Sequence, residues 1–183
     1  LILARTALGQ GVEISWASSE NFDYTDNDWF FIADGKTSYY TIAGPMRLGA
    51  IIAAANSHQL ENLATFGQTL GRCFQLVDDL LDVTSKEYKG KGQAMGSDIK
   101  ESKRTLILSH LLRSTNPTDR KRIISILKKM PEEKTQKEVN WILNNMVQYG
   151  SINYARNVAK VYRDKALEIF DKKLDFLSKE PAR

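Results

Sequence analysis

"FQLVDDLLDV", residues 74–83, sets Asp78, Asp79 and Asp82 inside five positions of an otherwise apolar run. Wound as a helix with Gln75 at zero, it puts Asp78 at about 300°, Asp79 at about 40° and Asp82 at about 340°. Phe74, Leu76, Val77, Leu80, Leu81 and Val83 fall on the opposite side, between about 80° and about 260°. The run therefore reads as an amphipathic helix that buries one side and exposes a row of carboxylates on the other. Acids this close repel one another. Between Glu61 and Lys86 the only lysine or arginine is Arg72, so no pairs four residues apart relieve them. Two causes fit the pattern: a solvated acidic face, and a hard divalent cation seated among the oxygens.

Working outward, apolar residues three and four apart recur along most of the chain, and strand-like alternation is hard to find. The spacing predicts an all-α protein of one domain over residues 1–183. A first helix is expected from about Ile2 to Ala17. Asp26 or Asp28 is expected to cap a short segment through Asp34, which Gly35 breaks. Lys36 to Ala55 follows, kinked at Pro45 and carrying a stripe of small residues at Ala43, Gly44, Ala50 and Ala54. The acidic run closes a long helix from Ser57 to Val83. Residues 84–97, "TSKEYKGKGQAMGS", are a glycine-rich basic loop, and Ser97 or Asp98 caps a helix running to about Leu112. "STNPTDRKR" opens a helix to Met130 that Pro131 closes. Two more, Glu132 to Tyr149 and Ser151 to Ser178, meet at Gly150.

Composition narrows the function. The chain of 183 residues is 42% apolar, enough for a sizeable core, and has one cysteine, which points to a reducing, cytoplasmic setting. Cys73 is expected as a packed thiol beside Leu70, Phe74 and Val77. No stretch is long and apolar enough to span a membrane. The net charge of +4 hides an asymmetry: residues 1–85 hold 4 Lys/Arg against 10 Asp/Glu, and residues 86–183 hold 22 against 12. The basic half is laced with acids at helical spacing, as in "KKLDFLSKE", which reads as a solvated face rather than a nucleic-acid surface. His58 and His110 are isolated and read as structural. The pointed feature is local: the acids at 78–82 are followed by Lys86, Lys89, Lys91, Lys100, Lys103 and Arg104. Oxygen ligands beside lysines suit Mg²⁺ shared with a phosphate-bearing substrate.

"GRCFQLVDDLLDV" followed by "GKGQAMGSDIKESKRT" resembles the second aspartate-rich region of the trans-isoprenyl diphosphate synthases, the farnesyl and geranylgeranyl diphosphate synthase family. "ALGQGVEI" and "KTSYYTIAGPMRLGA" resemble that family's glycine-glutamine and lysine-threonine helices, so the likeness covers residues 1 to about 110 by motif. It implies an antiparallel helix bundle of the isoprenoid synthase type around a deep cavity, commonly a homodimer. The implied reaction ionises an allylic diphosphate with Mg²⁺ and adds isopentenyl diphosphate to the cation. By motif match, Asp78, Asp79 and Asp82 hold the metal, and Lys36, Lys91 and Lys103 grip phosphate oxygens. Thr37 and Gln75 face the developing cation, and Gln10 is a pocket candidate. Each has a plainer rival: Lys36 as an ordinary first-turn residue, Gln75 as a polar neighbour of the core. Two extra residues separate "GK" from "GSD", so Lys89 competes with Lys91, and Ser102 stands where the family often has glycine.

The family's first aspartate-rich motif has no match in residues 1–30, where Asp23, Asp26 and Asp28 sit in the wrong context. The chain is accordingly expected to be the C-terminal portion of a synthase, with the N-terminal helices missing. A non-catalytic partner subunit of a heteromeric synthase and a helical interaction module with a solvated acidic face are the competing expectations. Product length is not legible in these residues.

Overall fold

In a computed structural model the described residues are 2–19, 22–85 and 95–177, and they form helices joined by short connections, with no strand among them. The first is α1 (Ile2–Ser18). Helix α2 (Asp26–Ala33) begins at Thr25, whose hydroxyl accepts from the Asp28 N–H while the Asp28 carboxylate accepts from the Thr25 N–H at 2.8 Å. Thr25 is thus the cap expected of Asp26 or Asp28, because its extended backbone leaves both donors within reach of those side chains.

Gly35 does not break the chain. Helix α2 runs on through a π-wound segment (Asp34–Ala43) into α3 (Gly44–Ile52), so residues 26–52 are one continuous rod. Glycine serves close approach here: a Cβ on Gly35 would lie 3.1 Å from the Gly9 Cα of α1. Pro45 sits at the second position of α3, where π winding returns to α winding.

Helix α4 (Ser57–Thr84) is the central element. Its contacts fix the topology. Thr37 meets Gln75, Gly71 lies under Ser38 and Gly67 under Ala43, so rising numbers on one rod meet falling numbers on the other. Asn62 meets Lys173, Phe66 meets Phe170 and Arg72 meets Tyr162 on the last helix, which therefore also runs antiparallel. Arg5 over Tyr39 and Glu13 beside Lys36 set α1 antiparallel to the rod. The expected antiparallel bundle is what the chain forms.

The segment expected as one helix from Ser97 to Leu112 is broken. Helix α5 (Ser97–Lys100) is one turn, preceded by Gly96 at φ 86°, and α6 (Leu106–Ser114) starts afresh at Thr105. Ser102 lies between them at φ 54°, and its hydroxyl donates to the Leu127 carbonyl at 2.6 Å. Ile99 before the bend and Leu106 after it both belong to the core. Helix α7 (Pro117–Leu127) is capped by Asn116 and stops short of Met130; a 3₁₀ turn (Pro131–Glu133) precedes α8 (Gln136–Gln148) and α9 (Ser151–Lys173), which meet at Gly150. Leu106, Ile107, Leu111, Ile123, Ile142 and Ala155, all fully buried, knit α6 to α9 into one core.

Candidate diphosphate site

The acidic run does not present an exposed comb. Asp79 is 0% exposed and Asp82 3%, whereas Phe74 is 54% and Val77 43% exposed. The wheel assumed a single buried face. Helix α4 instead has the π segment on one side, α9 on another and α5 and α6 at its end, so part of its acidic arc is covered and part of its apolar arc is not. Cys73 likewise is only half-buried, donating to the Ala159 carbonyl at 3.5 Å.

Asp79 is the hub. Its Oδ1 accepts from Gln75 Nε2 at 2.9 Å and from Lys103 Nζ at 3.1 Å, and its Oδ2 accepts from Trp29 Nε1 at 3.1 Å. Gln75 Oε1 in turn accepts from the Thr37 hydroxyl at 2.5 Å. Thr37, Gln75, Asp79 and Lys103 thus form one hydrogen-bonded line from the π segment across α4 to the bend after α5. Lys103 lies in that bend rather than inside a helix, and its ammonium also reaches Asp98 Oδ2 at 3.2 Å. Burial would lower the Lys103 pKa, but Asp79 and Asp98 more than reverse it and hold the ammonium charged. Burial pushes the Asp79 carboxyl up against the pull of Lys103. Asp98 is pushed up to about 6 by burial, with Lys103 opposing and Asp79 and Asp82 adding to the rise.

Asp82 has a different place from Asp79. Its Oδ1 accepts from the Ser97 hydroxyl at 2.7 Å and its Oδ2 from the Asp98 N–H at 3.0 Å, so it ties α4 to the start of α5. Asp78 is half-buried. Among the described residues no group of three or more His, Cys, Asp or Glu side chains converges as a metal cage. The oxygen donors suit a hard cation that takes most ligands from water and phosphate, and do not suit one held by three carboxylates at once.

Lys36 is brought to the same wall. Its ammonium contacts Glu13 Oε2 at 2.6 Å, and Glu13 also accepts from Gln10 Nε2 at 3.3 Å. Gln10, Glu13, Lys36, Asp98, Glu101 and Lys103 line one cavity of about 250 Å³ with Ile14 and Ala17. Lys91 and its rival Lys89 lie outside the described residues. His58 and His110 are remote from this wall; His110 stacks on Tyr154 with ring centroids 4.3 Å apart.

Three residues of the wall, and Asp34 outside it, are not singled out by the sequence. Glu13, Trp29 and Asp98 contact its lysines or Asp79, and Asp34 makes a two-pronged ion pair with Arg72, 2.5 and 2.7 Å, that pins the π segment to α4. Glu13, three residues after Gln10 on one helix, was the only one with a usable positional signal.

The chain belongs to the polyprenyl synthetase family: the family model matches residues 2–146. It is 32% identical over 174 residues to the short chain isoprenyl diphosphate synthase of Methanothermobacter thermautotrophicus, covering 95% of this chain and 50% of that one. Its fold superposes on the decaprenyl diphosphate synthase of Rhodobacter capsulatus with a TM-score of 0.82 at 24% identity, covering 98% of this chain and 52% of that one. A geranylgeranyl pyrophosphate synthase from Corynebacterium glutamicum, complexed with isoprenyl diphosphate and magnesium, matches with a TM-score of 0.73 at 25% identity over 93% of this chain and 50% of that one. The fold is that of the isoprenoid synthases, all helical as expected. The chain spans about half the length of the relatives it matches.

Proposed function

We propose that this chain supplies one wall of a prenyltransferase site that condenses an allylic diphosphate with isopentenyl diphosphate. The observation that carries the reading is the cavity in which Lys36 and Lys103, from different elements, share a wall with Asp98 while Lys103 is held by buried Asp79. Two ammonium groups fixed 67 positions apart in sequence make a receptor for a polyanion. The Corynebacterium relative's complex with magnesium and a diphosphate supports the same chemistry.

In the reaction the allylic C–O bond breaks, a C–C bond forms to isopentenyl diphosphate and a proton leaves. Lys36 and Lys103 donate to the departing diphosphate, and Lys91, or Lys89, is assigned the same role from the basic loop. Mg²⁺, when bound, would neutralise diphosphate oxygens and make them a better leaving group; Asp78 and Asp79 would be the residues to hold it, with Asp82 tying the end of α4 to α5. Thr37 and Gln75 are assigned the oxygens that face the developing carbocation: one Gln75 amide N–H donates to Asp79, and its carbonyl accepts from the Thr37 hydroxyl, which holds the two side chains together. Lys36 exchanges Glu13 for phosphate when substrate enters.

The competing reading is a non-catalytic partner subunit of a heteromeric prenyl diphosphate synthase. Expressing the complete reading frame that contains this chain and assaying incorporation of labelled isopentenyl diphosphate separates the two. Product formation by that polypeptide alone supports the synthase, and product only after addition of a second polypeptide supports the subunit.

A further inference from the structure

A second cluster of positive charge lies beside that wall, around the bend between α5 and α6. Lys134 is 4% exposed and Arg104 3% exposed, and both are anchored on Ser102. The Lys134 ammonium donates to the Lys100 carbonyl at 2.5 Å and to the Ser102 hydroxyl at 2.7 Å. The Arg104 guanidinium donates to the Ser102 carbonyl at 2.7 Å and the Ser19 carbonyl at 3.2 Å, and its buried Nε has no partner. Neither makes an ion pair with any described carboxylate. Two buried cations leaning on one serine repel each other, and carbonyl dipoles only partly offset the loss of water. An ammonium has three N–H donors, and Lys134 uses two.

The same ammonium lines a cavity of about 300 Å³ with Ser19, Ser102, Lys128 and Lys129, and among the described residues the one acid lining it is exposed Glu101. Burial and the neighbouring Arg104 both push the Lys134 pKa down, which an anion in the cavity would reverse.

We propose that this cavity is a binding site for a phosphate group, separate from the Asp79–Lys103 wall, with Lys134 as its buried charged anchor. The third N–H of the Lys134 ammonium is the donor it offers, and Lys128 and Lys129 also line the cavity, Lys129 ion-paired with Glu138. The proposal does not depend on the prenyltransferase reading.

The test is calorimetric titration of inorganic phosphate into the chain in EDTA, with parallel titrations into Lys103→Met and Lys134→Met and sedimentation with phosphatidylcholine vesicles with and without phosphatidic acid. Expected are saturable phosphate binding retained in Lys103→Met and weakened at least about tenfold in Lys134→Met. Capture only on phosphatidic acid vesicles would assign the phosphate group to a lipid headgroup; binding of the free ion assigns it to a soluble ligand. Should Lys134→Met fail to fold, trace acetylation of the unaltered chain read by mass spectrometry replaces it: phosphate slows labelling of Lys134 while Lys160 and Lys165 on α9 label as before. Absence of binding to both phosphate and vesicles, binding unchanged in Lys134→Met, or Lys134 labelling indifferent to phosphate overturns the proposal.

Discussion

Trp29 shows what one donor does at a buried carboxylate. Its indole N–H meets Asp79 Oδ2 at 3.1 Å with both side chains out of water. Trp29→Phe keeps most of the ring volume and leaves that oxygen without its described donor, so a loss of about 1–2 kcal/mol in urea unfolding is expected. No change in midpoint would show that water reaches Asp79. His110 gives the pH dependence. Burial pushes its imidazole pKa down, Arg113 adds to that and Asp26 opposes. A base whose folded pKa lies below its unfolded value binds fewer protons when folded, so stability is intact above the unfolded value of about 6.5 and falls as pH drops through it. His110→Gln is expected to flatten the slope of unfolding free energy between about pH 5 and 7, and an unchanged slope would place the titration elsewhere. At this scale the sequence marked Lys36, Thr37, Gln75, Asp79 and Lys103 by motif, and the structure brings all five to one region. It could not show Trp29 or Asp98 beside them, because those meetings join residues 50 and 5 positions apart through a fold and a bend that no local period records.

Among the elements, the rod of residues 26–52 and α4 define the site by how closely they pack. A Cβ on Gly71 would lie 2.5 Å from the Ser38 Cα, and one on Gly67 would lie 2.6 Å from the Ala43 Cα. Both would push backbone, which cannot rotate aside. Gly71→Ala is therefore expected to cost about 2–3 kcal/mol, while Gly49→Ala, which meets nothing within 4 Å, gains about 0.5–1 kcal/mol from helix propensity. Thermal unfolding of the two variants checks the contrast; equal effects would mean that the rod and α4 are not in contact there. Most helices were legible from their 3.6-residue period and caps. The exceptions share a cause: a glycine required by a neighbouring backbone, such as Gly35, looks like a breaker, and the tertiary bend at Ser102 carries no proline or glycine to announce it.

For the whole molecule, the antiparallel bundle follows from contact pairs whose numbers run in opposite directions, and it carries Lys36 and Lys103 to one cavity. No helix among the described residues is long and apolar enough to cross a membrane. The central claim is electrostatic: buried Asp79 exists to aim Lys103, and with a hard cation the pair receives a diphosphate. Calorimetry of an allylic thiolodiphosphate with and without Mg²⁺ tests it most directly. The account predicts binding that requires Mg²⁺, is weakened at least about tenfold by Lys103→Met and persists in Lys134→Met. Heats that are the same in EDTA, or untouched by Lys103→Met in a folded chain, would contradict it.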